Sequence, residues 1–339
     1  MREFGWFAVI AGAVMLEALT APGTGLSGQG LKLTRSGEPD KVRFTLERSR
    51  LGSRSMSTND VPLTSFRGFT LDMLDHSGPA KFTYVQDAAT IECVGTFGWG
   101  RGTGSFTITP NPQFVAELNR LGFATPDRDE IFMLVMNGTS LDFIREVHNA
   151  RIASSLQDVL DMAAHGVNSQ YIHDVARIGY RNLKAQDYIA MRDHGVEARF
   201  LQELKDAGYQ LDSGQVIELR DHGVDSAFMR GLAAYGLHPD ASELLALRDH
   251  GVTPDYLRDL RDGGYDTVRT DEIIALRDHG VERDFILAAH DLGYRFTPGE
   301  LVELRDHGVD GKYLRTIRDS GMRNLTADQI VRLHDHGVE

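Results

Sequence analysis

The chain has 339 residues, enough for two domains and a sizeable core, and 41% hydrophobic with 25% charged residues is an ordinary soluble composition. A formal charge of −13 argues against nucleic acid as the main partner, because phosphate binding wants a basic field. The single cysteine, Cys93, excludes an intrachain disulfide and a cysteine-rich metal site.

Residues 1–25 read as a signal peptide. Arg2 precedes an apolar run, Phe4 to Leu16, too short for a membrane span of roughly 20 residues, and the small residues Ala18, Ala21 and Gly23 follow. The expected location is periplasmic or secreted; an uncleaved N-terminus would instead anchor the protein to a membrane. Residues 22–40 are rich in Gly, Ser and Pro and read as a linker.

Residues 31–110 read as a small antiparallel β domain of five or six strands. Val42, Phe44 and Leu46 alternate with Arg43, Thr45 and Glu47, the period of a half-buried strand. Phe82 and Tyr84, Thr90 to Val94, and Phe106 to Thr109 continue the pattern between turn residues. The run Gly98 to Gly104 lacks the spacing and the Lys-Ser/Thr ending of a phosphate loop and is expected to be a flexible hairpin loop. Cys93 is expected in the core. His76 follows Asp75 in a loop and has no nameable catalytic partner.

Residues 111–138 read as a connecting helical segment. Pro112 to Leu121 places Phe114, Val115, Leu118 and Leu121 on one face, and a second apolar stretch runs from Ile131 to Met136.

From residue 139 to 339 the chain repeats itself. Leu-Arg-Asp-His-Gly-Val stands at Leu219–Val224, Leu247–Val252, Leu276–Val281 and Leu304–Val309, with variants at Met191–Val196, Leu333–Val338 and, decayed, Met162–Val167. The motif histidines, His165, His194, His222, His250, His279, His307 and His336, are 28 or 29 residues apart. So regular a period predicts an α-solenoid of seven two-helix units: 139–166, 167–195, 196–223, 224–251, 252–280, 281–308 and 309–337. Within 252–280, Thr253 or Pro254 opens one helix and Gly263-Gly264 closes it. Thr270 is the expected N-cap of the second, whose apolar face is Ile273, Ile274 and Leu276. The fifth residue of every unit is aromatic: Phe143, Tyr171, Phe200, Phe228, Tyr256, Phe285 and Tyr313. An aromatic column of this kind is expected in the core. The predicted fold class is therefore α+β multidomain, a small antiparallel β domain followed by an α-solenoid.

Repeated Asp and His suggest a metal array, with His194, His222, His250, His279, His307 and His336 as candidate ligands. Geometry argues against it. Equivalent residues of stacked helices stand about 8–10 Å apart, whereas two ligands of one zinc ion must lie within about 4 Å. Structural roles account for every letter. Gly195, Gly223, Gly251, Gly280, Gly308 and Gly337 end helices, Leu fills the core, His or Arg favours the negative helix end, and Asp is free to pair with Arg of an adjacent unit. Imidazoles titrating near pH 6–7 leave a pH response open. His-Glu-x-x-His, Gly-x-Ser-x-Gly and P-loop motifs are absent from the sequence.

The units, with Gly-Val-x-x-x-aromatic-Leu, then Gly-Tyr, then Leu-Arg-Asp-His-Gly-Val, resemble a helical repeat of bacterial envelope proteins. They are similar to the extracytoplasmic repeat tail of antibiotic-sensing membrane metallopeptidases of the beta-lactam sensor type. The stretch Phe97 to Pro112 is similar to what precedes the repeats there, and the likeness covers about residues 40–339. The peptidase's His-Glu-x-x-His is missing, so no catalytic residue carries over. The sequence thus predicts a non-enzymatic scaffold of the envelope that binds an unidentified protein partner and takes no cofactor. The alternatives are the sensor module of an antibiotic response, which the resemblance implies, or a metal- or pH-responsive protein. The final repeat, with no capping helix after Val338-Glu339, is an expected face for self-association.

Overall fold

A computed structural model describes residues 26–50 and 53–338; the signal-like residues 1–25 lie outside them. The chain divides into two units, residues up to 150 with 154–160, and residues 151–153 with 161 onward. The division falls inside the first repeat.

Among the described residues the first unit holds seven strands: β1 (Leu26–Arg35), β2 (Lys41–Arg50), β3 (Ser53–Pro62), β4 (Phe66–Arg67), β5 (Gly78–Val85), β6 (Ala89–Gly98) and β7 (Arg101–Pro110). They form one antiparallel sheet in the order β3-β2-β1-β7-β6-β5-β4. Alternation decides which side is buried: Val42, Phe44 and Leu46 on β2 are buried, as are Ile91 and Cys93 on β6. Phe44 meets Phe66 and Tyr84 with ring centroids 5.4 and 5.0 Å apart, although β2 and the β5–β4 end are far apart in strand order. The sheet therefore curls around an aromatic core that Phe69, Phe82 and Phe97 complete.

Seven strands exceed the expected five or six, and the difference lies partly in residues 26–35. Gly28 and Gly30 read as linker, but they are places of close approach. A Cβ at Gly30 would stand 2.3 Å from Glu47 Cβ, and one at Gly28 2.4 Å from the Phe106 ring. The glycine-rich hairpin is likewise mostly strand. Only Trp99 and Gly100 form the turn, at φ +58° and +78°, the pattern of a type I′ hairpin. Gly102 lies in β7, and glycine is needed there because an added Cβ would stand 1.9 Å from the Phe97 ring.

A 3-10 turn at Leu63–Ser65 and a short helix, α1 (Asp72–Asp75), interrupt the strands, with His76 as the C-cap of α1 rather than in an open loop. After β7 come α2 (Pro112–Arg120), capped by Asn111, and α3 (Arg128–Met136), with a capping box between Asp127 and Glu130. Phe114 and Leu118 bury the inner face of α2, while Val115 and Leu121 are only half-buried. Phe132 stacks on Phe106 at 6.4 Å, and Asn59 Nδ2 donates to the Met136 carbonyl at 2.7 Å, so α3 belongs to the sheet unit.

Fourteen helices follow in pairs. The first helices are α4 (Leu141–Asn149), α6 (Ser169–Ile178), α8 (Ala198–Asp206), α10 (Ser226–Tyr235), α12 (Pro254–Asp262), α14 (Arg283–Asp291) and α16 (Gly311–Asp319). Alternating with them are the second helices α5 (Leu156–Ala164), α7 (Ala185–Asp193), α9 (Ser213–Asp221), α11 (Ala241–Asp249), α13 (Thr270–Asp278), α15 (Pro298–Asp306) and α17 (Ala327–Asp335). Each is about 14 Å long, too short to bury its apolar face alone. From α6 onward, first helices pack on first helices and second on second, so the repeat unit has two layers.

The cap positions explain where the helices start. Asn168, Asp225, Thr253 and Asp310 each accept from the N–H three residues on, at 2.7–3.1 Å. Glu197 and Glu282 hold the same position without capping; their carboxylates accept from Arg192 and Arg277 at 2.8 and 2.7 Å. In α13 the N-cap is Arg269 rather than Thr270, which is the first helical residue. Glu272 reaches back to the Arg269 N–H at 3.1 Å. Among the described residues no helix is long and apolar enough to cross a membrane.

Candidate interaction surface

The repeated motif ends each second helix in a Schellman turn. In 276–281, the Gly280 N–H donates to the Arg277 carbonyl at 3.2 Å and the Val281 N–H to the Leu276 carbonyl at 2.9 Å. Gly195, Gly223, Gly251, Gly280, Gly308 and Gly337 all lie at φ between +66° and +81°, the left-handed region that favours glycine. The Leu before the turn and the Val after it are fully buried at Leu219, Leu247, Leu276 and Leu304 and at Val224, Val252, Val281 and Val309. They form the hydrophobic clasp of the turn.

The polar letters tie each unit to its neighbour. The motif Arg does not pair with the neighbouring Asp, as expected from sequence. It lies over the aromatic ring of its own unit: Arg192 over Tyr171, Arg220 over Phe200, Arg248 over Phe228, Arg277 over Tyr256 and Arg305 over Phe285, at 5.0–5.7 Å. A planar guanidinium can stack this way and still donate. Arg277 Nε reaches the Gly251 carbonyl at 3.1 Å and Arg305 Nε the Gly280 carbonyl at 3.0 Å. In the last unit His334 replaces Arg and packs edge-on against Tyr313 at 4.8 Å. Where the aromatic is Tyr, its hydroxyl donates to the next unit's Val carbonyl: Tyr171 to Val196 at 2.7 Å and Tyr256 to Val281 at 3.1 Å.

The Asp goes to histidine. His165 pairs with Asp193, His194 with Asp221, His222 with Asp249, His250 with Asp278, His279 with Asp306 and His307 with Asp335, at Nδ1–O distances of 2.5–3.1 Å. Each histidine reaches forward to the next unit's carboxylate, so six rungs run along the repeats. The first unit, whose His165 starts the ladder, carries Ala164 where the others have Asp. His336 has no carboxylate partner among the described residues. At His222 the hydrogen bond donated to Asp249, and then the carboxylate's charge, raise the imidazole above its ordinary value. One carboxylate per imidazole makes no chelate. Among the described residues no group of three or more His, Cys, Asp or Glu is arranged to hold a metal ion.

The second-helix layer also presents an outer face that the columns do not consume. Ile273 and Leu276 are buried, but Ile274 is half-exposed, unlike the expected continuous apolar face. Its equivalents Ile217, Leu245 and Val302 are half-exposed too. One turn further along each helix, four residues on, stand Asp221, Asp249, Asp278 and Asp306 of the ladder, so the two rows run side by side. Beside the aliphatic row lie small or absent side chains, Gly214, Ser242, Ala246, Ala275 and Gly299. Between α11 and α13 the face deepens into an open cavity of about 590 Å³. Leu237, Pro239, Ala246 and Ile274 give it apolar walls, and Glu243, Arg269 and Asp271 stand among its polar groups.

The chemistry-bearing residues of the sheet unit do not converge. Cys93 is fully buried in β6, and burial pushes its thiol up to about 12, so it is a core residue and not a thiolate nucleophile. His76 is exposed, 3.2 Å from Asp72. Glu117 is held down at about 2, first by Arg120 and also by Arg145, in a surface ion-pair cluster. Comparison of the sequence with protein-family models and with curated proteins finds no match.

Proposed function

We propose that the protein is a non-enzymatic interaction scaffold of the bacterial envelope, in which the repeats present a partner-binding face on the second-helix layer. The observation that carries this is a division of labour within each repeat. Leu, Arg, Asp, His, Gly, Val and the aromatic are committed to turns and unit-to-unit contacts. The half-exposed aliphatic row and the positions beside it are left for contact and differ from unit to unit. Extended faces built by stacking are the usual recognition surfaces of such repeats. The envelope location rests on the signal-like residues 1–25 and on the repeat resemblance.

The test is in-cell crosslinking with a photoreactive residue at Ile274, against the same residue at exposed Asp319 of the other layer. A discrete crosslinked protein seen only from position 274 supports the scaffold. Identical smears from both positions count against it. A second proposal, a pH-responsive role, is favoured by the six histidine–aspartate rungs. It predicts coupled histidine transitions in a chemical-shift titration, with His222 shifted upward; independent transitions with His222 unshifted would remove it.

A further inference from the structure

We propose that the trough along α9, α11, α13 and α15 binds a basic peptide segment carrying aliphatic side chains. This rests on the scaffold function above and names the partner's chemistry.

Two features of the trough select that occupant. Its floor is apolar but narrow: Ile217, Leu245, Ile274 and Val302 form one row, and Ile274 also lines the open cavity between α11 and α13. Such a row takes spaced aliphatic anchors rather than a broad hydrophobic face.

The second feature is charge. Residues 196–308, the four units that build the trough, carry 23 acidic and 12 basic side chains. The acids stand beside the row: Asp221, Asp249, Asp278 and Asp306 lie one turn from each aliphatic residue, and Glu243 and Asp271 reach the cavity wall. The motif arginines are drawn away from the row, whereas Arg269 and His238 stand on the cavity wall. Arg220, Arg248, Arg277 and Arg305 are folded over the aromatic rings of their own units, and Arg269 is paired with Asp271 at 2.5 Å. The ladder aspartates and Glu243 thus give the trough an acidic border. A cationic segment gains charge complementarity along the row, and an acidic one is repelled.

The probe is a random dodecapeptide display library panned on the full chain at pH 7.5, with parallel selections on Ile274→Arg and on Ala246→Arg. Each substitution lies at a half-exposed helical position, and circular dichroism checks that each variant keeps its helix content. The expected winners are net-cationic and aliphatic, bind at least about tenfold more weakly to both variants, and weaken further as salt rises from 50 to 300 mM. Winners that are acidic or neutral, or that bind the variants equally, overturn the basic-peptide trough and leave the scaffold standing on another surface. If no peptide is enriched above a tag-only control, the scaffold function fails with it.

Discussion

Gly280→Ala isolates what the repeated glycine contributes. A Cβ at this position would meet nothing within 4 Å, so no steric clash enters. The cost comes from holding alanine at φ +67°, about 1–2 kcal/mol. Lower unfolded-chain entropy returns about 0.4–1 kcal/mol. The net loss should be about 0.5–1 kcal/mol, and smaller for Gly280→Asn, because asparagine tolerates the left-handed region. Gly263→Ala is the contrasting case. Its φ of −83° suits alanine, but a Cβ there would stand 2.2 Å from Ile286 Cγ2, so it should lose about 1–3 kcal/mol by overpacking. Urea unfolding followed by circular dichroism reads both, as a lower midpoint at unchanged slope. A Gly280→Ala chain as stable as the wild type would refute the left-handed turn as the reason for the repeated glycine.

Leu247→Ala, at a fully buried helix-end position, should cost about 2–5 kcal/mol by the same assay; a loss below 1 kcal/mol would mean that the Leu–Val clasp is not packed. A cycle of His222→Ala, Asp249→Ala and the double variant should show coupling that depends on pH. Because His222 is raised in the folded state, its stabilisation is full below the unfolded value of about 6.5 and is lost as pH rises through the folded value. Thermal melts at pH 5.5 and 8.5 should therefore show larger coupling at the lower pH, and equal coupling would remove the rung's charged form as a contributor. Trp99→Asn should stabilise the sheet unit by about 1 kcal/mol, since Trp99 occupies φ +58° with its side chain 90% exposed; a lower melting temperature would show that the indole makes a stabilising contact.

The sequence alone determined the repeat. Its period is written in local signals, a glycine that only a helix end requires and apolar residues at helical spacing, and local signals survive without tertiary context. Strands β2, β5, β6 and β7 were legible for the same reason, through alternation at Val42, Phe44 and Leu46 and its counterparts. Strand β1 was not, because Gly28 and Gly30 carry the composition of a linker, and only the approach of Glu47 and Phe106 shows why glycine is needed.

Pairing between units was beyond the sequence. Arg, Asp and His sit side by side in every motif, and any of them could meet a neighbour. The packing of the two helices within a unit decides that Arg covers its own unit's aromatic, and the rise from one unit to the next decides that His reaches the following Asp. The outer trough was hidden for a related reason. Ile273 and Ile274 are equivalent by hydropathy, but a helix turns about 100° between them, so one enters the core and the other lines a surface. Local propensity fixed where the turns come, and tertiary stacking fixed which residues remain free to bind.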